Sequence, residues 1–75
     1  METVYINLDG VETVKRFVNT LTQMSGEFDL IQGKYVVDAK SILGIFSLDL
    51  ERPIELRIYE QPEMAKKELE DFIET

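Results

Sequence analysis

The sequence predicts an α/β chain of the α+β type: an open-faced sandwich with a four-stranded antiparallel sheet, covered on one face by two longer helices and one short helix. Three observations predict it. The hydrophobic period switches between two residues and three to four residues in the order βαββαβα. Each predicted strand has one apolar and one mostly polar face, as a sheet with one solvent-exposed face requires. The 75 residues are 44% hydrophobic, which suits a single domain over 1–75.

The chain begins with an alternating segment and continues with a helical stripe. Residues 3–8 alternate apolar and polar side chains and predict a half-buried strand. Asp9 and Glu12 then fit a capping box, in which the Asp9 side chain accepts a backbone N–H. Apolar residues at three- and four-residue spacing over 11–21 predict the first helix, and Ser-Gly at 25–26 is a natural stop.

The next two strands form a predicted hairpin. Residues 27–32 are extended in character, with Phe28 and Leu30 on one side. Gly-Lys at 33–34 suits a tight turn with glycine first, and 35–39 is the partner strand.

The apolar run at 41–48 has two interpretations, because a run of this length fits either a strand or a short helix. Gly44 weakens a strand interior, and Ser41 is a good N-cap. These two residues favour the helix. On that helix Ile45 and Leu48 are expected to point inward.

The last part of the chain predicts one strand and one helix. Residues 54–59 alternate without exception, and Gln-Pro at 61–62 opens the helix, because proline is tolerated at the first helical position. Glu63 and Lys67 are expected to pair along the helix surface. The apolar stripe of this helix consists of Met64, Ala65, Leu69, Phe72 and Ile73.

The composition excludes several kinds of chemistry. The sequence contains no cysteine and no histidine, so disulfides, thiolate or imidazole metal sites and histidine acid–base catalysis are excluded, and no metal or cofactor is expected. The net charge of −7 disfavours nucleic acid and an anionic membrane surface as partners. No targeting segment is visible, and the longest apolar-rich run, 42–48, is too short to span a bilayer. A cytoplasmic location is therefore expected.

The segment 38–48, Asp-Ala-Lys-Ser-Ile-Leu-Gly-Ile-Phe-Ser-Leu, resembles the regulatory-serine segment of the histidine-containing phosphocarrier (HPr) family of the bacterial phosphotransferase system. It follows a Gly-Lys hairpin at 33–34, as in that family, and it precedes 50–58, which resembles the closing turn and fourth strand of the family. The resemblance covers essentially the whole chain and implies the HPr fold. A ferredoxin-like domain is the alternative fold, which shares the alternation of strands and helices but lacks this serine segment.

The chain departs from the family at the start of the first helix. The family transfers phosphoryl groups through a histidine there, with an arginine and a proline close behind. The corresponding stretch here, 10–18, reads Gly-Val-Glu-Thr-Val-Lys-Arg-Phe-Val and is shorter than the family pattern. Glu12 lies near the missing position, but a carboxylate does not replace imidazole as a phosphoryl relay. The resemblance therefore implies a member without the relay activity, and not an enzyme; an enzyme that uses carboxylates is the remaining alternative.

Ser41 is the candidate phosphorylation site that the resemblance implies. In Gram-positive members the corresponding serine is phosphorylated by a dedicated ATP-dependent kinase, and some paralogues without the histidine keep only that serine and act in carbon catabolite repression. A phosphate adds roughly −1.5 to −2 charge and changes a binding surface. Lys40 is adjacent and is the candidate partner of that phosphate. The plainer interpretation is that Ser41 only caps its helix, which is worth about 1 kcal/mol.

The candidate partner-binding residues surround this serine. On a helix that starts after Ser41, Ile42, Leu43 and Phe46 would lie partly outside, and exposed apolar side chains in one cluster often mark a partner site. Lys40 is a further candidate partner-binding residue, because it is adjacent to Ser41. The resemblance implies that the positions of Ile42, Leu43 and Phe46 contact protein partners, namely an HPr-type kinase and a transcription regulator or an enzyme.

Several alternatives stay open at this point. Arg16 is a further candidate partner-binding residue at the border of the same site, although a solvated helix face explains it equally well. A small core that absorbs the apolar side chains around Ser41 is one alternative, and a constitutive interaction or assembly module without phosphorylation is another. The oligomeric state also stays open. A second apolar patch or dimer surface is expected on the open sheet face, from Tyr5, Ile31, Val36 and Tyr59.

Overall fold

A computed structural model describes residues 1–74. The element order is the expected βαββαβα, which confirms the predicted fold class. The elements are β1 (Glu2–Ile6), α1 (Val11–Thr22), β2 (Phe28–Gln32), β3 (Tyr35–Asp38), α2 (Ile42–Phe46), β4 (Ile54–Ile58) and α3 (Pro62–Glu68). None of these helices is long and apolar enough to cross a membrane.

The four strands form one antiparallel sheet in the order β1-β4-β2-β3. The last strand in the sequence therefore lies in the middle, between β1 and β2. Leu56 of β4 lies opposite Val4 on one side and Leu30 on the other, so one row of apolar side chains crosses three strands. This order excludes the ferredoxin-like alternative, in which split βαβ units place the first and third strands side by side.

The hydrophobic core lies between one face of the sheet and the three helices. Phe17 of α1 and Phe72 meet edge to face, with ring centroids 5.4 Å apart and an interplanar angle of 78°. This contact fixes α1 against the segment that follows α3, and such aromatic pairs add about 0.5–1.5 kcal/mol beyond their buried area. The fully buried side chains of the strands and of α1 include Ile6, Leu30, Ile54, Leu56, Ile58, Val14 and Leu21.

The β2–β3 hairpin forms as predicted. Gln32 lies opposite Tyr35, so Gly33 and Lys34 are the two turn residues. Gly33 has a φ of 59°, a conformation that glycine adopts without steric cost.

The predicted capping box at the start of α1 is wrong. The N-cap is Gly10, and no side chain makes a capping hydrogen bond there. Asp9 lies one residue before the cap, where its Oδ1 accepts a hydrogen bond from the Thr13 hydroxyl at 3.1 Å. Val11, at the first helical position, is exposed and does not join the buried stripe of Val14, Phe17 and Leu21.

The last helix is shorter than its apolar stripe predicts. It ends at Glu68, and the chain then turns so that Ile73 forms a bridge with Ile6. The backbone N–H of Glu74 donates to the Tyr5 carbonyl at 2.8 Å. The residues predicted to continue the helix instead pair with the free edge of β1, because an edge strand offers unpaired backbone groups.

Two further expectations for α3 are wrong. Met64 is 60% exposed and does not belong to the buried stripe. Glu63 pairs with Lys66 at 3.5 Å and not with Lys67. Lys66 also donates to Glu2 of β1, so this lysine is the one held beside the sheet. The hydrogen bond to Glu2 raises the pKa of Lys66 above its ordinary value.

Candidate functional site on α2

Ser41 caps the short helix α2, as the sequence predicts. Its backbone is extended (φ −96°, ψ 103°), and its Oγ accepts a hydrogen bond from the Gly44 N–H at 3.3 Å. The N–H of Ser41 donates to the Asp38 carbonyl at 2.9 Å, which ties the cap to the end of β3. The residue as a whole is exposed to solvent.

Gly44 allows α2 to lie directly on β3. A Cβ at this position would lie 3.2 Å from the Val37 Cβ and 3.3 Å from the Ser41 Oγ, closer than most Cβ atoms approach their neighbours. The close approach sets the orientation of the helix. Ile45 is completely buried on the inner side, and Leu48 is buried just beyond the helix, as predicted.

The outer side of α2 exposes two apolar side chains. Leu43 is 82% exposed and Phe46 is 40% exposed, whereas Ile42 is half-buried and packs against the core. The expectation that this run lies partly outside is confirmed, and the alternative that the core absorbs it is wrong for Leu43 and Phe46. We call Leu43 and Phe46, together with the neighbouring Ser41, the α2 patch.

Lys40 makes different contacts from those expected. Its Nζ donates to the backbone carbonyls of Met24 at 2.8 Å and Gly26 at 3.1 Å, and it lies 5.7 Å from the centroid of the Phe28 ring. Both carbonyls belong to the loop after α1, and the Lys40 ammonium supplies each of them with a hydrogen-bond donor. Lys40 therefore connects the start of α2 to the α1–β2 loop, and the structure does not prepare it as the partner of a phosphate on Ser41.

Arg16 lies over the Phe72 ring, with its Cζ 5.3 Å from the ring centroid. It lines a shallow depression that also includes Asp9, Glu51 and Asp71. No residue of the α2 patch lines this depression, so the structure does not bring Arg16 together with the patch there. The acidic side chains make the surroundings of Arg16 unfavourable for an anion.

Glu12 is the residue near which the family histidine is expected. Its side chain is 87% exposed and lies 4.0 Å from Lys15 in a loose surface pair. Within residues 1–74, no group of three or more acidic side chains is arranged to hold a metal ion.

The open face of the sheet is not one continuous apolar patch. Tyr5 and Val36 are exposed there and Ile31 is half-buried, but Glu55 lies between Tyr5 and Ile31 in the row that crosses the sheet. The expected second apolar patch is therefore interrupted by charge.

A polar network runs beside this row. Arg57 donates to Glu55 at 2.9 Å, and the Tyr59 hydroxyl donates to Asp29 at 2.8 Å. The hydrogen bond to Asp29 raises the pKa of Tyr59, and the hydrogen bond to Glu55 raises the pKa of Arg57. The two-residue spacing of 55, 57 and 59 places these side chains on one face, but the spacing does not reveal Asp29 as a partner, because it lies 30 positions from Tyr59.

Comparison with known proteins found a solved structure that is similar to this chain. No protein-family model and no curated protein matches the chain. Among solved structures, the crystal structure of HPr-C-His from Thermoanaerobacter tengcongensis is 28% identical to it, and the match covers 95% of this chain and 89% of that one with a TM-score of 0.79. The chain has the HPr fold. This match confirms the resemblance to the HPr family and supports a relationship to the phosphocarriers.

The HPr fold indicates the general kind of activity that proteins of this family have. It is the fold of a phosphocarrier and not of a catalyst, and proteins of the HPr family act through contacts with other proteins. On the HPr fold of this chain, the α2 patch is the exposed apolar cluster that the sequence predicted, and it adjoins the serine whose surrounding segment carried the resemblance.

Proposed function

We propose that this chain is a non-catalytic regulatory protein of the HPr fold that binds protein partners through the α2 patch. The exposure of Leu43 (82%) supports the proposal, because a leucine held on a short, well-capped helix has no stabilising role in the core. The sequence contains no histidine, so the proposal includes no histidine phosphorelay. The half-buried Ile42 contributes its exposed part to this surface, and Lys40 connects the start of α2 to the α1–β2 loop.

Phosphorylation of Ser41 is the proposed switch of this surface. The Ser41 Oγ already acts as an acceptor for the Gly44 N–H, and a phosphate ester at this atom keeps an acceptor oxygen there. The Lys40 ammonium is engaged by two carbonyls, and Asp38 is the nearest acidic neighbour along the chain. The added charge is therefore left for a partner to recognise, and the domain stays folded.

The proposed partners are an HPr-type kinase and a transcription regulator or an enzyme, in the cytoplasm. The acidic net charge of −7 disfavours direct binding to nucleic acid, so a regulatory effect on transcription would pass through a protein.

The deciding experiment is the intact mass of the chain after incubation with ATP and a bacterial HPr kinase. We expect one added phosphate on the wild type and none on Ser41→Ala, with NMR dispersion showing that both proteins are folded. A folded wild type that stays unmodified, while the same kinase modifies an ordinary HPr protein, contradicts the switch.

A second experiment tests the α2 patch itself. Leu43→Ser removes an exposed apolar side chain from the patch, and Val36→Ser removes one from the open sheet face. We expect Leu43→Ser to slow the kinase reaction and Val36→Ser to leave its rate unchanged. Equal rates for the two variants would show that the kinase does not use the patch.

The alternative function is a constitutive protein-interaction or assembly module without phosphorylation. The hydrogen bond from Gly44 to the Ser41 Oγ favours it, since capping alone explains a serine at this position. In that case Ser41→Ala costs about 1 kcal/mol of stability and leaves partner binding unregulated.

A further inference from the structure

A groove of 540 Å³ separates the C-terminal end of α1 from the start of α3. Its lining is mixed: the buried side chains of Phe28 and Ala65 are apolar, and Thr20, Gln23, Ser25 and Gln61 are uncharged polar residues. Met24 and Met64 line it from the two helix ends, and Met64 is largely exposed. We call it the α1–α3 groove. None of the residues of the α2 patch lines it.

The charged groups of the groove are all acidic. Glu60 and Glu68 line it, and no lysine or arginine does so among the described residues. Neither carboxylate lies within 4.0 Å of a basic nitrogen in residues 1–74, unlike Glu2, Glu12, Glu55 and Glu63. The Lys40 ammonium lies 5.7 Å from the centroid of the Phe28 ring and donates to two backbone carbonyls. The groove therefore combines four apolar side chains with unpaired negative charge.

The backbone holds Glu60 at this position at a conformational cost. Gln61, directly after it, adopts the left-handed conformation (φ 48°, ψ 56°) and is the only residue other than glycine with a positive φ in the described chain. Opposite it, Gly26 has a φ of 96°, and a Cβ there would lie 3.1 Å from the Glu60 Oε2. Strained backbone of this kind is concentrated at functional sites.

We propose that the α1–α3 groove docks a segment of a protein partner in which lysine or arginine alternates with apolar residues. The aliphatic stem of the basic side chain packs on Met24 and Met64, and its cationic end is held by Glu60 and Glu68. Long basic side chains bury their stems on apolar surface while the charge stays hydrated, and methionine adapts its shape to different partners. Charge complementarity selects this partner over an acidic or a purely apolar one.

The proposal is tested by NMR titration of the full chain with a short capped peptide of alternating leucine and lysine. We expect saturable shifts of the backbone amides of Met24, Phe28 and Met64, and no shifts with the same peptide in which glutamate replaces lysine. Spermidine supplies cationic charge without apolar side chains and is expected to bind more weakly. Shifts centred on another surface, or equal binding of spermidine and the peptide, overturn the proposal.

Matched variants separate the groove from the overall negative charge. Glu60→Gln with Glu68→Gln is expected to weaken binding of the peptide about five-fold, since the double substitution removes two exposed charge pairs, each of which contributes modestly. Glu70→Gln with Glu74→Gln changes the net charge by the same amount outside the groove and is expected to leave the affinity unchanged. Equal weakening by both pairs would overturn the proposal.

Two single substitutions complete the test. Met64→Gln keeps the length of the side chain but makes it polar, and we expect it to lower the affinity for the peptide. We expect little effect on the fold, because Met64 is 60% exposed. Ser41→Ala is expected to leave the affinity unchanged, because Ser41 does not line the groove. An unchanged affinity for Met64→Gln, or a lowered one for Ser41→Ala, counts against the groove as the docking site.

Discussion

Replacing Lys40 by methionine tests whether this residue holds α2 in place. The substitution keeps an unbranched side chain that packs on Phe28 and removes the ammonium group. Both hydrogen bonds, to Met24 at 2.8 Å and Gly26 at 3.1 Å, are then lost. The two carbonyls must turn to water, and the α1–β2 loop loses its connection to the start of α2.

The expected loss in the free energy of unfolding follows from these contacts. A hydrogen bond from a charged group contributes about 1.5–3 kcal/mol where water is excluded. Lys40 is only half-buried and the freed carbonyls can be hydrated, so the two bonds together are expected to contribute about 1.5 kcal/mol. In a domain of this size, that loss lowers the melting temperature by roughly 6–12 °C.

Urea denaturation at neutral pH measures this loss, with Lys34→Met as the control. Lys34 is exposed in the β2–β3 turn, so its substitution removes the same charge from a chain of net charge −7 without removing the two hydrogen bonds of Lys40. We expect Lys40→Met to shift the urea midpoint clearly and Lys34→Met to shift it little. Equal shifts would refute the idea that the two hydrogen bonds of Lys40 stabilise the fold. A loss that appears only after Ser41 is phosphorylated would instead restore Lys40 as the partner of the phosphate.

Three other predictions follow from single contacts. Gly26→Ala is expected to cost about 1–3 kcal/mol in urea denaturation, because the residue has a φ of 96° and its new Cβ would press on Glu60. The pKa of Tyr59 is raised because its hydroxyl donates to Asp29. The hydrogen bond therefore contributes stability that is complete below the ordinary tyrosine pKa of about 10 and is lost as the pH rises through the raised value. Asp29→Asn should lower the pKa of Tyr59 in an NMR titration, and an unchanged pKa would contradict the hydrogen bond. Phe72→Ala is expected to cost about 3 kcal/mol in urea, and a loss below 1 kcal/mol would show that its edge-to-face contact is not part of the core.

Local patterns were sufficient to predict most of the fold. The alternation over 54–59 corresponds to β4, whose apolar positions are all buried. Successive side chains of a strand point to opposite faces of the sheet, so alternation alone places the apolar side chains on one face. The ambiguous run at 41–48 was resolved by Gly44 and Ser41. Their local preferences agree with the tertiary structure, in which the missing Cβ of Gly44 lets the helix lie on Val37.

The remaining features depend on contacts between distant residues. Ile73 continues a helical stripe in the sequence, but the free edge of β1 pairs with it 67 positions from Ile6. Lys40 appears in the sequence as a neighbour of Ser41, yet its partners lie 14 and 16 positions away in the loop after α1. No spacing rule reveals such partners, and the α1–α3 groove likewise exists only where two helix ends meet.

The charges around α1 and α2 argue for the proposed site of regulation. A phosphoryl group that approaches the start of α1 would meet Asp9 and the exposed Glu12, and the nearby Arg16 already lies over Phe72. At the start of α2, the exposed Ser41 belongs to the same patch as the two exposed apolar side chains, and Lys40 connects the start of the helix to the α1–β2 loop. A charge added at Ser41 would therefore alter a partner surface directly, without a relay residue and without rearranging the core. For this reason the α2 patch, and not the start of α1, carries the proposed regulatory function.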